Sequence, residues 1–113
     1  MKIIETENAP KAIGTYSQAV KVNGFLFISG QVPLDPSTME LAVGIENQIN
    51  QVFENINQIL KADGMDFSNV VKLSVLLEDL SHFEKVNEIM ANIFSKPYPA
   101  RAAYEVSKLQ KGS

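Results

Sequence analysis

The sequence predicts a single α+β domain of two layers, in which two amphipathic helices cover one face of a β-sheet. Two observations lead to this fold class. In some segments apolar residues recur at every second position, which indicates a strand, and in others at every third or fourth, which indicates a helix. The resulting order is strand, hairpin, helix, strand, helix, strand. The length of 113 residues, 45% of them apolar, suits one core, and no repeat or linker-like segment divides the chain. We therefore treat residues 1–113 as one domain.

The N-terminal part of the chain carries most of the strand signals. Residues 2–6 are predicted as a short strand. Within residues 19–29, two apolar runs flank Asn23-Gly24, a pair that accepts positive φ and favours the type I′ turn of a β-hairpin. The second run, residues 25–29, is nearly all apolar, which is typical of a strand covered on both faces. Residues 30–42 are rich in turn formers and predict an irregular excursion.

A change of period marks the first helix. Between residues 45 and 60 the apolar side chains step by three and four, which predicts an amphipathic helix of about four to five turns. Asp63-Gly64 ends it, because glycine readily adopts the left-handed conformation that follows a helix. Residues 70–78 then alternate, which predicts a strand with one buried face.

The second helix is predicted from both of its ends. Ser81 and Glu84 have the spacing of a capping box, in which the serine side chain accepts from the backbone and the glutamate reaches back. Pro97 and Pro99 stop the helix and favour an extended segment. Residues 100–109 are predicted as the strand that follows.

Composition excludes several kinds of site. Ten basic against thirteen acidic residues give a net charge of −3, which argues against a surface built to bind nucleic acid. The chain has no cysteine and one histidine, so no disulfide, thiolate nucleophile, cysteine-based zinc site or histidine-pair metal site is expected. No phosphate-binding or dinucleotide glycine pattern predicts a cofactor. Neither a membrane span nor a signal peptide is evident, so we expect a cytoplasmic protein, with import into an organelle left open.

Arg101 is the strongest candidate for ligand binding. It is the only arginine among the ten basic residues, and a guanidinium suits two-point recognition of a carboxylate or phosphate better than an ammonium does. Its small neighbours Ala100, Ala102 and Ala103 leave room for a ligand beside the strand. The alternative is an ordinary ion pair, for instance with Glu105.

Three further residues could contribute polar groups. Tyr16 could donate its phenolic O–H, Ser29 could donate its hydroxyl, and Gly30 would let a ligand approach the main chain. Ordinary loop packing and a strand terminus explain these residues equally well. His82 follows the predicted serine cap, where an exposed polar residue is common, so we expect no catalytic role for it.

Several segments together are similar to one known family. They are residues 13–20 (IGTYSQAV), 27–33 (FISGQVP), 69–75 (NVVKLSV), 83–88 (FEKVNE), 98–106 (YPARAAYEV) and 109–112 (LQKG). The chain thereby resembles the RidA (YjgF) family of reactive-intermediate deaminases over nearly its whole length, and the Pro-Ala-Arg strand with Ser-Gly-Gln is the most specific part.

The resemblance implies a chorismate-mutase-like two-layer sandwich, a mixed β-sheet with two helices on one face, assembled as a homotrimer with ligand sites between subunits. It implies hydrolysis of 2-iminobutanoate, 2-iminopropanoate and related enamines to 2-oxo acids and ammonia, with neither metal nor cofactor. Six site residues are implied, with Arg101 holding the substrate carboxylate. The catalytic residues are Arg101, Tyr16 and Ser29. The substrate-binding residues are Arg101 again, Ala103 through its backbone, Gly30 and Asn87.

The sequence departs from the family at two loop positions and at its end. Thr15 and Gln110 stand where the family usually has proline. After the turn, family members continue with a strand inside the sheet, whose glutamate is thought to position or activate the attacking water. Glu105 is not its counterpart, and no residue is assigned that role. We expect either that the chain continues past Ser113, which is favoured, or that the sheet has a gap with unpaired strand edges.

Two other functions compete with the deaminase. The first is a non-catalytic module of the same fold that binds small carboxylic acids, a reading favoured by the unassigned water-activating glutamate. The second is an RNA-directed role, which has been attributed to relatives. The acidic composition and the single histidine make this second alternative the weakest.

Overall fold

The computed structural model describes all residues from 1 to 113 and confirms the predicted order of elements. The helices and strands are β1 (Lys2–Ile4), β2 (Ala19–Val22), β3 (Phe25–Ile28), α1 (Ile45–Ala62), β4 (Lys72–Leu77), α2 (Phe83–Ile93) and β5 (Ala100–Glu105). The last strand is shorter than predicted, because the chain leaves the ladder after Glu105. None of the helices is long and apolar enough to cross a membrane.

The strands form two sheets, where the sequence predicted one mixed sheet. Strands β1, β2 and β3 pair antiparallel in that order, and β4 pairs with β5 in parallel. No backbone hydrogen bond joins the two sheets, so β3 and β4 each leave one edge unpaired. The hairpin itself is confirmed, since Asn23 and Gly24 have φ values of 51° and 81° as a type I′ turn requires.

Helix α1 packs against both sheets. In its first half, Ile49 and Phe53 belong to a core shared with β4 and α2. Near its end, Ile59 is fully buried in a second core with Ile4 of β1 and Ala19 of β2. The two cores are thus connected through one helix rather than through strand pairing.

Two buried amides fix the irregular segments. Asn55 of α1 donates to the backbone carbonyls of Leu34 and Val32 at 3.0 and 3.3 Å, which holds the excursion after β3 against the helix. The Gln18 side chain accepts from the Thr6 N–H at 2.7 Å and donates to three carbonyls of residues 6–10. Because a buried amide without partners is costly, these contacts define the paths of both loops.

The outer face of the antiparallel sheet is apolar and uncovered in a single chain. Phe25 and Phe27 of β3 are 62% and 60% exposed, while Leu26 and Ile28 point towards the core. The prediction of a strand covered on both faces is therefore wrong for one chain, because no element of the chain covers the face that carries Phe25 and Phe27. Ile3 and Val22 extend the apolar outer face.

The predicted capping box is wrong. No side chain caps α2, which begins at Phe83 directly after a 3-10 helix, Leu80–His82. Asp79 caps that short helix instead, accepting from the Ser81 N–H at 2.8 Å. The aspartate competes successfully because its carboxylate lies two residues before the serine, the spacing of an Asx turn.

An ion pair between Lys21 and Asp63 ties β2 to the end of α1, with Nζ and Oδ2 2.9 Å apart. The Asp63 side chain is 7% exposed, and Oδ2 has no other partner. Lys21→Met is therefore expected to lower the free energy of unfolding by about 2 kcal/mol, since it leaves the nearly buried Asp63 carboxylate without a partner. The loss is smaller than for a fully buried pair, because Lys21 is partly exposed and water screens the interaction. Urea unfolding followed by circular dichroism measures this.

The exposed pair between Lys85 and Glu88 provides the control. Lys85→Met is expected to change stability by less than about 0.5 kcal/mol. Adding Asp63→Asn to Lys21→Met should restore much of the loss, because the orphaned charge is removed. A double variant no more stable than Lys21→Met would show that the unpaired Asp63 charge is not the cause of the loss.

Candidate functional site

Arg101 lies on the helix-facing side of β5, opposite Leu73 of β4. Its guanidinium carbon is 4.6 Å from the centroid of the Phe83 ring, a cation–π distance. Its Nη1 donates to the Asn87 Oδ1 at 2.6 Å and approaches the Met90 Sδ at 3.5 Å. All three partners belong to α2, so one helix face holds the guanidinium.

The Arg101 charge has no carboxylate partner within the chain. The only salt bridges lie elsewhere, at Lys21 and Lys85. Glu105, which the sequence offered as an ion-pair partner, accepts from the Leu80 N–H at 3.1 Å instead. The ion-pair alternative is therefore wrong. Neither Nε nor Nη2 of Arg101 makes a hydrogen bond, so donors of a positive group are available to an anion.

Ala103 follows Arg101 by two residues and therefore lies on the same face of β5. It is half-buried opposite Val75, and its methyl group leaves the strand backbone accessible beside the arginine. The geometry is compatible with the backbone role that the family resemblance implies.

Tyr16, Ser29 and Gly30 form a second group, because the loop that carries Tyr16 is bonded through Ser17 and Gln18 to Ser29 at the end of β3. The Ser29 hydroxyl donates to the Ser17 carbonyl at 2.6 Å, so this proton is engaged and the oxygen is left to accept. The Tyr16 phenol oxygen accepts from the Ile13 N–H at 3.3 Å, which leaves its own proton free to donate. The expectation that Ser29 donates to a ligand is thus corrected to an acceptor role.

Gly30 has no close neighbour in the chain. A Cβ built there would meet no atom within 4 Å, so packing within one chain gives no reason for a glycine. The space above Gly30 is open to a ligand or to another chain.

The structure brings the predicted residues together in two groups and does not join them. Arg101, Asn87 and Ala103 lie at β5 and α2, whereas Tyr16 lies in the loop before β2, and Ser29 and Gly30 follow the end of β3. No hydrogen bond connects the groups. A single chain therefore presents the predicted site residues as two separate groups, which we name half-sites on the prediction that they belong to one site.

The helical spacing of Phe83 and Met90 predicts core residues, and it does not predict their contact with Arg101. Met90 is buried as expected, but Phe83 is half-buried and faces the guanidinium. One signal was available: Asn87 is a polar residue four after Phe83 and three before Met90, so it interrupts an apolar helix stripe. A polar residue in such a stripe indicates a specific polar contact.

A groove of about 600 Å³ lies elsewhere, beside Phe53, Phe67 and Ile93. Its polar lining consists of neutral amides of α1 and the carboxylate of Glu54. It offers no positive charge and does not include Arg101, so it is not the anion site.

Comparison with known proteins identifies the family of the chain. A family model described as Endoribonuclease L-PSP matches residues 6–113. The human 2-iminobutanoate/2-iminopropanoate deaminase is 50% identical over 113 residues, covering 99% of this chain and 82% of the human protein. The chain belongs to the RidA (YjgF) family.

Solved structures of the family superimpose closely on the chain. RidA from an Antarctic Psychrobacter species has a TM-score of 0.96 at 52% identity, covering 99% of this chain and 91% of that one. Escherichia coli TdcF, solved with bound serine, has a TM-score of 0.94 at 36% identity, covering 99% and 91%. The α+β fold predicted from the sequence is that of its RidA relatives.

The turn before α2, the helix that holds Arg101, contains an aspartate whose contribution to stability can be tested by changing the pH. Hydrogen bonds from the Ser81 side chain and backbone N–H hold the pKa of Asp79 below its usual value. Because the folded pKa is depressed, the stabilisation is present above the ordinary aspartate pKa of about 3.9 and is lost as pH falls through the folded pKa. The stability advantage over Asp79→Asn should therefore be constant from about pH 5 to 7 and shrink below about pH 4. Urea unfolding at each pH measures it, and an advantage that grows in acid would contradict the assignment.

Proposed function

We propose that the protein hydrolyses 2-iminobutanoate, 2-iminopropanoate and related enamines to the 2-oxo acid and ammonia. The observation that carries the proposal is the Arg101 guanidinium, held by α2 without a carboxylate partner and with two donor nitrogens free. The identity of half the residues with the human deaminase supports the substrate class. The serine bound by TdcF, which also carries a carboxylate, is consistent with an anion site in this fold.

The reaction requires orientation more than a strong nucleophile. Water adds to the imine carbon, a proton moves to the nitrogen, and the resulting carbinolamine expels ammonia to leave the C=O bond. Arg101 would fix the substrate through its carboxylate, and such positioning can lower a barrier by several kcal/mol. Tyr16, whose phenolic proton is free, would donate to the leaving nitrogen, and Ser29 would accept from a substrate N–H.

The backbone around the site would complete the contacts. Ala103 would offer the main chain of β5 beside Arg101, and Gly30 would allow close approach because nothing fills the space above it. No chemical step in this scheme calls for a metal or a cofactor.

A homotrimer would join the two half-sites. Arg101 lies in β5, and Tyr16 and Ser29 lie in loops that flank the antiparallel sheet, without a direct bond to Arg101, so the second half-site would come from a neighbouring subunit. The exposed apolar face of β3, with Phe25 and Phe27, is the kind of surface that subunit contacts cover.

The main alternative is a module of the same fold that binds small carboxylic acids without turnover. It shares the Arg101 site and differs only in whether water is activated. An endoribonuclease function, named in the family model, is less well supported, because the net charge of −3 disfavours phosphate-rich ligands.

Arg101→Ala is expected to lower kcat/KM for imine hydrolysis by about two to three orders of magnitude, because the substrate carboxylate loses its charged partner. The assay couples the protein to a threonine dehydratase and follows 2-oxobutanoate while a trapping amine competes for the intermediate. Lys61→Ala, which removes an exposed positive charge from α1, is the control and should leave the rate unchanged.

Equal rates for wild type and Arg101→Ala would contradict the site. A wild type that binds 2-oxobutanoate but does not accelerate its formation would establish the binding module. Strongly salt-dependent binding of RNA would be needed to support the nucleic-acid function.

Phe27→Asp is expected to convert the trimer to monomers and to abolish activity, because it places a charge in the proposed interface and separates the half-sites. Light scattering coupled to size-exclusion chromatography measures the mass. Val43→Asp is the control, because Val43 is 84% exposed outside the sheet face and the variant should remain a trimer. An active, monomeric Phe27→Asp variant would show that one chain suffices.

A further inference from the structure

We propose that Asn87 is a positioning residue, which orients the Arg101 guanidinium without neutralising its charge. The inference rests on the proposed carboxylate site but assigns a distinct task to the asparagine. Asn87 was expected to contact the substrate, whereas the structure directs its carbonyl oxygen at Arg101.

The contact determines which side of the guanidinium is free. A guanidinium can only donate, so the 2.6 Å contact must be made by the amide oxygen of Asn87, with its NH2 turned away. Nη1 is engaged by this oxygen and by the Met90 sulfur, while the guanidinium carbon lies over the Phe83 ring. The edge formed by Nε and Nη2 is left without partners, and it has the fork geometry that binds a carboxylate at two points.

All three contacts to Arg101 are uncharged. They are an aromatic ring, an amide oxygen and a thioether sulfur. An aspartate at position 87 would have nearly the same shape and would orient the arginine at least as well. It would also place a full negative charge beside the guanidinium and compete with the substrate carboxylate. The amide therefore provides the orientation of a carboxylate while leaving the positive charge for the ligand.

The start of α2 is held in place by hydrogen bonds, and these also fix Phe83 and Asn87 relative to Arg101. Phe83 is the first residue of α2, and the preceding turn is held by Asp79 and by Glu105. Asn87 follows one turn later, so its position relative to the ring is set by the helix repeat. Glu105 comes from β5 itself, four residues after Arg101, and thus ties the strand of the arginine to the helix that orients it.

The test compares Asn87→Ala, Asn87→Asp and wild type in their binding of 2-oxobutanoate by calorimetry. Asn87→Ala is expected to weaken binding about three- to tenfold, because one hydrogen bond that orients the arginine is lost. Asn87→Asp is expected to weaken it by more than tenfold, about the effect of a competing charge-assisted pair, although thermal stability is kept. Asn92→Asp is the control, since it adds the same charge at an exposed position of α2 and should bind as wild type.

A second measurement reports on orientation directly. Because Arg101 is the only arginine, its side-chain N–H signals in a 15N NMR spectrum are unique. Slow rotation should keep the two Nη groups distinct in wild type and in Asn87→Asp, and the signals should average in Asn87→Ala. If Asn87 were purely structural, its substitution would neither rank the affinities as wild type, Asn87→Ala and Asn87→Asp nor average the Nη signals.

The outcomes separate the inference from the proposed function. If Arg101→Ala binds 2-oxobutanoate as well as wild type does, the carboxylate site itself is wrong. If Arg101→Ala loses binding but Asn87→Asp binds as tightly as wild type, or more tightly than Asn87→Ala, the charge-sparing role of Asn87 is overturned. Averaged Nη signals in wild type would likewise contradict the positioning role.

Discussion

The packing of α1 against two separate sheets is the constraint on which the rest of the molecule depends. Ile49 and Phe53 bind the helix to β4 and α2, and Ile59 binds it to the antiparallel sheet. Because no strand pairing connects the sheets, their relative placement within the chain is set by side-chain burial along one 18-residue helix. The partly buried Lys21–Asp63 pair fixes the end of that helix to β2.

The position of the arginine follows from this packing. Helix α1 contacts α2 in the first core, and α2 in turn provides every contact of the Arg101 guanidinium. The carboxylates of Asp79 and Glu105 hold the turn where α2 begins, so they use their charge on backbone N–H groups and not on the arginine. As a result, the one guanidinium of the chain is oriented by neutral groups and keeps its full charge for an anion.

The second half-site, with Tyr16 and Ser29, offers hydrogen-bonding groups that the first half-site lacks. Ser29 has its proton engaged by Ser17, and Tyr16 has its proton free, so the pair offers one acceptor and one donor. In the proposed assembly these groups meet the arginine of a neighbouring subunit. An enzyme built this way couples activity to association, because neither half-site contains both the charge and the proton donor.

The sequence alone determined the order of elements, the Asn23-Gly24 hairpin and the solitary arginine, because spacing and turn chemistry are local properties. The RidA family was indicated separately, by the resemblance of several motifs. The sequence could not determine the partners of Arg101, Glu105 and Ser29. Those contacts join residues 11 to 25 positions apart, and strand register and helix packing decide them. The capping box failed for a related reason, since Asp79 and Ser81 formed a competing turn. Tertiary structure therefore decided that the arginine is oriented but unpaired, the property on which its proposed function rests.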